Sequence, residues 1–305
     1  MKLKSPYLIK PHTKVRLAHL PTEERGALKS KRGADAETAK HLKQLEELQE
    51  VFYAAQSTAL LVVLQGMDTA GKDGTIRHIF SGVNPQGCQV ASFKVPTALE
   101  TRHDFLWRCH AQVPPRGMIG IFNRSHYEDV LSPVVHGHMS AKEARRHMDE
   151  INGWERTLAD NDVVILKFFL HISREEQTRR LQARIDDAKK HWKLSPADFE
   201  ERPLWDDYMR AYEEILRNTS RKVAPWFVIP ADNKSYRSVA ISRIVIEAMQ
   251  RLKLRYPKPT FDPGGVKLED ESPEEAANEV ETKVNPGTVS ANETRSDSGR
   301  TAATA

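Results

Sequence analysis

The sequence predicts an α/β fold, with a central, mainly parallel β-sheet between two layers of helices. Three observations support this. Short apolar runs of strand length alternate with amphipathic stretches of helical length, which is the pattern of βαβ units. The first of these runs, Ala59–Leu64, leads directly into a turn bracketed by glycines that opens a helix. The alternation then continues without an internal repeat over about 220 residues, a length one sheet accommodates as a single domain.

The elements follow in order. Glu37–Ala55 places Leu42, Leu45, Leu48, Phe52 and Ala55 at spacings of three and four, as a surface helix does. Ala59–Leu64, reading ALLVVL, is a buried strand, and Cys88–Phe93 is a second. Thr97 and Glu100 have the spacing of a capping box, predicting a helix that reaches about His110. Met118–Phe122 is the third strand and Ala141–Ala159 a helix. Val163–Leu170 is the fourth strand, and Ser173 with Glu176 caps a helix through about Asp187. Leu204–Thr219 is helical, Trp226–Ile229 is a short strand, and Lys234–Leu254 is the last helix.

Composition narrows the class. The 305 residues contain 46 Lys and Arg, 42 Asp and Glu, and two cysteines. Cys88 and Cys109 allow at most one disulfide and offer no zinc-finger spacing, as expected of a chain in a reducing cytosol. The apolar runs are far shorter than the roughly 20 residues of a membrane span, and MKLKSPYLIKPHTK lacks a signal peptide's apolar stretch. The expectation is a cytoplasmic protein with no membrane partner. The net charge of +4 is unevenly spread. Residues 262–305 hold ten acids and four bases, and residues 1–261 hold 42 bases and 32 acids. A +10 body therefore precedes a −6 tail. The tail has no aromatic residue after Phe261, too little apolar surface to offset the entropy of ordering, so 262–305 is expected to be a disordered acidic tail. Residues 1–36, with Pro6, Pro11 and Pro21, read as an irregular N-terminal arm, which leaves 37–261 as one α/β domain.

The segment Gly66-Met67-Asp68-Thr69-Ala70-Gly71-Lys72-Asp73-Gly74-Thr75 fits the GxxxxGK phosphate loop, and it stands between a buried strand and a helix. Gly66 and Gly71 let the backbone turn and aim its amides inward. The helix opening near Lys72 adds its positive end, and Lys72 adds a full charge. Gly66, Ala70, Gly71, Asp73, Gly74 and Thr75 are thus the candidate phosphate contacts. The pattern departs from the usual loop at Asp73, where Ser or Thr would hold Mg²⁺ through a hydroxyl, and at Asp68 inside the loop. Two carboxylates beside a polyanion make chemical sense if they help hold Mg²⁺. After the third strand, Asn123-Arg124-Ser125-His126-Tyr127-Glu128-Asp129 puts the second acids late. Asp129 could reach the metal from a helix start, and Arg124 lies at the strand end where such sheets bind ligands. A salt bridge to the sheet rim is the simpler role for Arg124.

Arg179, Arg180, Arg184, Lys189, Lys190 and Lys193 fall within fifteen residues. Placed between late strands, such a basic helical segment (about 174–203) suits a lid closing over phosphates and excluding water. A solvated charged face is the simpler alternative. Ser195-Pro196 is a helix start that splits the lid. The fold class predicted is therefore a P-loop kinase-like three-layer sandwich with a helical lid. His136 and His138, two apart in a glycine-containing turn with no third ligand nearby, read as an ordinary loop.

GMDTAGKDGT, HDFLWR (His103–Arg108), FNRSHYEDV (Phe122–Val130), LQARIDDAKKHWK and APWFVIPADNK (Ala224–Lys234) together resemble the polyphosphate kinase 2 family, in the same order and over about residues 5–260. The resemblance implies Mg²⁺-dependent transfer of a terminal phosphoryl group between inorganic polyphosphate and a nucleoside mono- or diphosphate. By position, Asp68 and Lys72 match the family's first motif, and Arg124 and Asp129 the second. Arg184, Lys190 and Lys193 match lid positions. Asp68 and Asp129 are then the metal carboxylates, and Asp68, Lys72, Arg124 and Asp129 the catalytic set. The resemblance also implies a homodimer or homotetramer. Tyr127-Glu128-Asp129 most resembles members that accept AMP and often ADP. Leu131-Ser132-Pro133 departs from the plain apolar run of relatives and weakens the helix expected there. Two rival readings are an ATP-dependent small-molecule or nucleoside monophosphate kinase on the same scaffold, and a nucleic-acid-binding module drawn to phosphodiesters by the basic body. No nucleic-acid recognition motif is visible.

Overall fold

The structure, a computed structural model, describes residues 3–24, 26 and 30–266. Its six-stranded sheet has the order β1-β6-β5-β2-β4-β3. The strands are β1 (Leu8–Ile9), β2 (Ala59–Gln65), β3 (Cys88–Ser92), β4 (Ile119–Asn123), β5 (Val163–His171) and β6 (Trp226–Pro230). All neighbours are parallel except β1, which runs antiparallel to β6, with Leu8 opposite Phe227 and Ile9 opposite Trp226. Every residue of β2 is buried, as a central parallel strand covered on both faces requires. A mainly parallel sheet with helices as crossovers is the architecture the sequence predicted.

The longer helices are α1 (Lys31–Ala55), α2 (Lys72–Ile79), α4 (Glu128–Val135), α5 (Ala141–Asp160), α6 (Arg174–Ile185), α8 (Trp205–Thr219) and α9 (Lys234–Arg251), with short α3 (Trp107–His110) and α7 (Pro196–Glu200) between them. α1 starts six residues before the expected Glu37, because Ser30 caps it by accepting a hydrogen bond from the Gly33 amide. Its buried line is Ala34, Thr38, His41, Leu45, Gln49 and Phe52, packed against α9. Leu42 is only half-buried. The helix turns polar residues inward because each finds a partner: His41 Nδ1 lies 2.8 Å from Ser242 Oγ, and the Gln49 amide exchanges hydrogen bonds with the Asn84 backbone at 2.8 and 2.9 Å.

Two expectations need correction. Thr97 and Glu100 do form a reciprocal cap, but no continuous helix to His110 follows. A 3₁₀ turn at Glu100–Arg102 ends, Asp104 accepts from the Leu106 amide at 3.0 Å, and the chain restarts as α3. Conversely, α4 runs through Pro133. The proline falls late in an eight-residue helix, so the hydrogen bond it removes disrupts little. The arm also holds more order than its prolines suggested. Besides β1, Tyr7 reaches Tyr236 and Glu24 at 2.6 Å, and the Leu17 amide reaches Glu213 at 2.8 Å.

The chain divides into two units, Met1–Pro257 and Lys258–Ala305. Of the second, residues 258–266 are exposed and make one 3₁₀ turn at Pro263–Gly265. Residues 267–305, most of the expected acidic tail, lie outside the described residues. Among the described residues no helix is long and apolar enough to cross a membrane.

Candidate active site

The site is built at the carboxyl end of β2, which lies between β4 and β5 in the sheet. There the chain turns through 66–71 into α2. Gly66 has φ 152°, and a Cβ on it would lie 2.8 Å from the Leu170 carbonyl. Gly71 has φ 99°, and a Cβ there would strike the Arg237 guanidinium. Both turns therefore require glycine. Thr69, a non-glycine, also holds a left-handed φ of 65°, the kind of local strain that surrounding structure must enforce.

Two buried arginines enforce it. Arg180, on α6, donates to the carbonyls of Thr69 (2.8 Å) and Ala70 (2.9 Å), and also to Ala231 and Asp232. Arg237, on α9, donates to the Ala70 carbonyl at 3.2 Å. With these carbonyls drawn toward the protein interior, the first-turn amides of α2, which have no intrahelical acceptor, remain available at the helix's positive end. Arg180 had been counted as a lid base. Burial, not visible in a basic run, makes it a loop anchor instead. Arg237 sits in the last helix, where nothing in the sequence marks it as part of the site.

Lys72 is buried and donates to the Gly66 carbonyl (2.8 Å) and the Met67 carbonyl (3.3 Å). Burial, and then the charge of Arg124, push its pKa down to about 8, against the opposing pull of Asp68, Glu128 and Asp73. Arg124 holds a φ of 63° at the end of β4 and reaches Asp68 at 2.6 Å and Glu128 at 3.8 Å. Burial works against its charge, but Glu128 and Asp68 hold its pKa above the ordinary value. The Glu128 carboxyl is pushed up by burial, in part offset by Arg124 and Lys72. Asp73 accepts from Asn123 at 2.6 Å. The Thr75 hydroxyl bonds back to the Gly71 carbonyl at 2.9 Å, so Thr75 serves the helix start.

The structure therefore brings Asp68, Lys72, Arg124 and Asp73 together, and adds Glu128. It turns Asp129 elsewhere: its carboxylate accepts from Arg108 at 2.9 Å, and Arg108 is itself held by the Lys94 carbonyl at 2.8 Å. Burial raises the Asp129 pKa, opposed by Arg108. In the sequence Glu128 and Asp129 are adjacent acids. Only the helix rotation of about 100° per residue separates their directions.

The basic segment forms α6, a 3₁₀ turn at Ala188–Lys193, and α7, which Ser195 caps reciprocally with Asp198. Arg184 donates to the Lys193 carbonyl (3.3 Å) and pairs with Asp198 (3.6 Å), while Lys190 pairs with Asp187 at 2.7 Å. Asp198 in turn lies in the field of Asp68 and Arg124, and burial and Asp68 push its pKa up. The tip of this segment is thus electrically in touch with the phosphate loop.

Around the loop Lys72 and Arg124 face Asp68, Asp73 and Glu128. These three carboxylates offset much of the positive charge that the loop offers a polyanion. Carboxylate oxygens suit a hard divalent cation held by one or two protein ligands plus substrate phosphates. Among the described residues no three His, Cys, Asp or Glu side chains are grouped to hold a metal by themselves.

A glycine-bracketed loop after the central strand, a buried lysine on its carbonyls and an arginine–carboxylate pair at its mouth define a P-loop phosphotransferase of the kinase type. The Polyphosphate kinase 2 family profile matches residues 28–257. The AMP/ADP-polyphosphate phosphotransferase of Meiothermus ruber is 46% identical over 254 residues, 83% of this chain and 95% of that protein. The ADP-polyphosphate phosphotransferase of Rhodopseudomonas palustris is 43% identical over 273 residues, 85% of this chain and 94% of that protein. The crystal structure of polyphosphate kinase 2 from Arthrobacter aurescens TC1 superposes with a TM-score of 0.82 at 40% identity, covering 90% of this chain and 95% of that one. The chain belongs to the polyphosphate kinase 2 family.

Proposed function

We propose that this protein transfers a terminal phosphoryl group between inorganic polyphosphate and a nucleotide, AMP to ADP, ADP to ATP, or both, reversibly. The observation that supports it most is the buried Lys72, a cation whose hydrogen-bond acceptors among the described residues are backbone carbonyls, set where α2 begins. The names borne by the Meiothermus ruber and Rhodopseudomonas palustris relatives support the choice of polyphosphate and adenine nucleotides.

The chemistry asks little beyond alignment and charge. A nucleotide's terminal phosphate is already an anionic nucleophile at neutral pH, so no general base is required. Lys72 and the α2 amides hold the transferring phosphate, and Arg124 neutralises charge that grows on its equatorial oxygens. Asp68 and Glu128, which flank Arg124 at the loop, are the carboxylates best placed to hold Mg²⁺, and Asp129, now paired with Arg108, is the third candidate. Bound there, the cation would neutralise and align donor and acceptor phosphates. Residues 174–203 act as the lid: Arg184 and Lys190 exchange their present carbonyl and carboxylate partners for polymer phosphates, Lys193 leaves the Trp192 ring that it faces at 5.0 Å, and together they exclude water from the transfer. Solution sizing of the purified protein is expected to give a dimer or tetramer.

The test is a donor–acceptor assay with polyphosphate plus AMP, then plus ADP, each with and without Mg²⁺. ADP and ATP should form only with the metal. Product from ATP as donor but none from polyphosphate would instead identify a small-molecule kinase. A tight, salt-sensitive RNA or DNA complex without transfer would identify a nucleic-acid binder. Within the same assay, Asp68→Asn should lower the rate and shift its Mg²⁺ dependence. An unchanged Mg²⁺ titration would remove Asp68 from the metal site.

A further inference from the structure

Behind the site lies a charged cluster that the transfer chemistry does not use. Lys167, in the middle of β5, is fully buried and donates to Glu155 of α5 (2.6 Å), to the Tyr127 hydroxyl (2.8 Å) and to the Thr219 carbonyl at the end of α8 (2.8 Å). Tyr127 donates its hydroxyl proton to the other Glu155 oxygen at 2.8 Å. The His126 ring approaches that oxygen at 3.4 Å, and its Nδ1 has no partner among the described residues. The aromatic rings of Tyr127 and Trp226 close the cluster, 5.3 and 5.2 Å from the ammonium.

Such a pair is a poor way to stabilise a core. Desolvating both ions offsets most of their attraction, and well-packed apolar residues of similar volume often do as well or better. What the pair does that leucine and methionine could not is bind a tyrosine hydroxyl in one direction. Tyr127 immediately precedes α4, whose first residues are Glu128 and Asp129. With Tyr127 pinned inward, the rotation of about 100° per residue turns Glu128 to Arg124 and Asp129 to Arg108. A turn of α4 by roughly 20° would carry a carboxylate ~6 Å from the helix axis through about 2 Å. A shift of that size is enough to misalign a transferring phosphate.

We propose that Lys167 and Glu155 are positioning residues for phosphoryl transfer: through the Tyr127 hydroxyl they fix the rotation of α4, and with it the aim of Glu128 and Asp129. This rests on the reading that the site transfers phosphoryl groups.

The experiment compares wild type with the double variant Lys167→Met/Glu155→Leu and with Tyr127→Phe. It measures thermal stability, kcat, KM for polyphosphate and for ADP, and hydrogen exchange in the 124–129 peptide. The double variant should still fold, with a melting temperature lowered only modestly because the Tyr127 hydroxyl and the Thr219 carbonyl lose their partners, yet lose about 100-fold in kcat and exchange faster at 124–129 than elsewhere. Tyr127→Phe, which removes one hydroxyl and leaves the packing, should lose about tenfold in kcat with both KM values kept. Wild-type kcat and unchanged 124–129 exchange in both variants would overturn the proposal. If the double variant fails to fold, Tyr127→Phe alone decides by the same two readouts. If the wild type itself makes no product from polyphosphate, the transfer reading falls, and local exchange at 124–129 still judges the positioning role.

Discussion

Lys72 and Lys167 are two buried lysines in one sheet-and-helix core, and burial pulls the pKa of each down to about 8. Their partners differ. Lys167 has a carboxylate, a phenol and a carbonyl within 2.8 Å and two aromatic faces around it. Lys72 has two backbone carbonyls, with the nearby carboxylates acting only through space. A cation whose donors are satisfied beside an anion gains nothing from a substrate. One left under-neutralised gains most when a phosphate arrives. The contrast separates a charge kept to hold structure from one kept to meet a ligand, and it can be tested at both ends.

The largest effect should come from Lys72→Ala. Transfer from polyphosphate to ADP should fall by roughly 100- to 1,000-fold, with little change in melting temperature, since a costly buried charge leaves with the side chain. A folded variant near the wild-type rate would break the functional half of the comparison. Lys167→Ala should show the converse in urea denaturation, a loss of about 3–5 kcal/mol, because it strands Glu155 as an uncompensated buried charge. Equal destabilisation by the two variants would erase the distinction.

The proton sharpens it further. A lysine lowered from 10.5 to about 8 in the folded state binds fewer protons there than in the unfolded chain between those pH values. The share of stability set by these lysines then rises with pH across that window. The burial penalty on Lys72 is fully present below pH 8 and has gone by about 10.5, a change of up to about 3 kcal/mol, and Lys167, paired with Glu155, shifts in the same direction. The thiols of Cys88 and Cys109 and the phenols of Tyr127 and Tyr212, whose pKa values burial raises, contribute the opposite slope. The Lys72 share is therefore read as the difference in denaturant midpoint between the substrate-free wild type and Lys72→Met, which should move in favour of the wild type from pH 8 to 10. Polyphosphate, which favours the charged form of Lys72, should flatten that change. A difference that moves the other way would contradict the assignment for Lys72.

What could be read from the sequence follows a physical line. The alternation of β2, β4, β5 and β6 with helices was legible, because burying a parallel strand on both faces demands a continuous apolar run. The loop was legible too, because Gly66, Gly71 and Lys72 are fixed by local backbone geometry. The residues behind the loop were not. Arg180 lies in a run of bases and Arg237 in an ordinary helix, and only the tertiary fold shows that both reach the Ala70 carbonyl. Lys167 did leave a trace, a charged residue inside an otherwise apolar strand. Its partners lie 12 and 40 residues away, beyond any periodic pattern. The two-residue β1 is likewise held by a distant strand rather than by its own composition.

The smallest and most discriminating prediction concerns adjacent acids. Position in the motif favours Asp129 as the catalytic carboxylate, whereas the structure turns Glu128 to Arg124 and gives Asp129 to Arg108. Glu128→Gln keeps the shape and removes the charge beside Arg124 and Lys72. It should lower kcat by about 10- to 100-fold and weaken the Mg²⁺ dependence. Asp129→Asn should cost less, under about tenfold, because its first consequence is that Arg108 loses its carboxylate counter-charge while the Lys94 carbonyl still holds it. Were Asp129→Asn the more damaging of the two, Asp129 would have to leave Arg108 in the working state. α4 would then have to turn on substrate binding, and the Tyr127 anchor would be a pivot rather than a fixed mount.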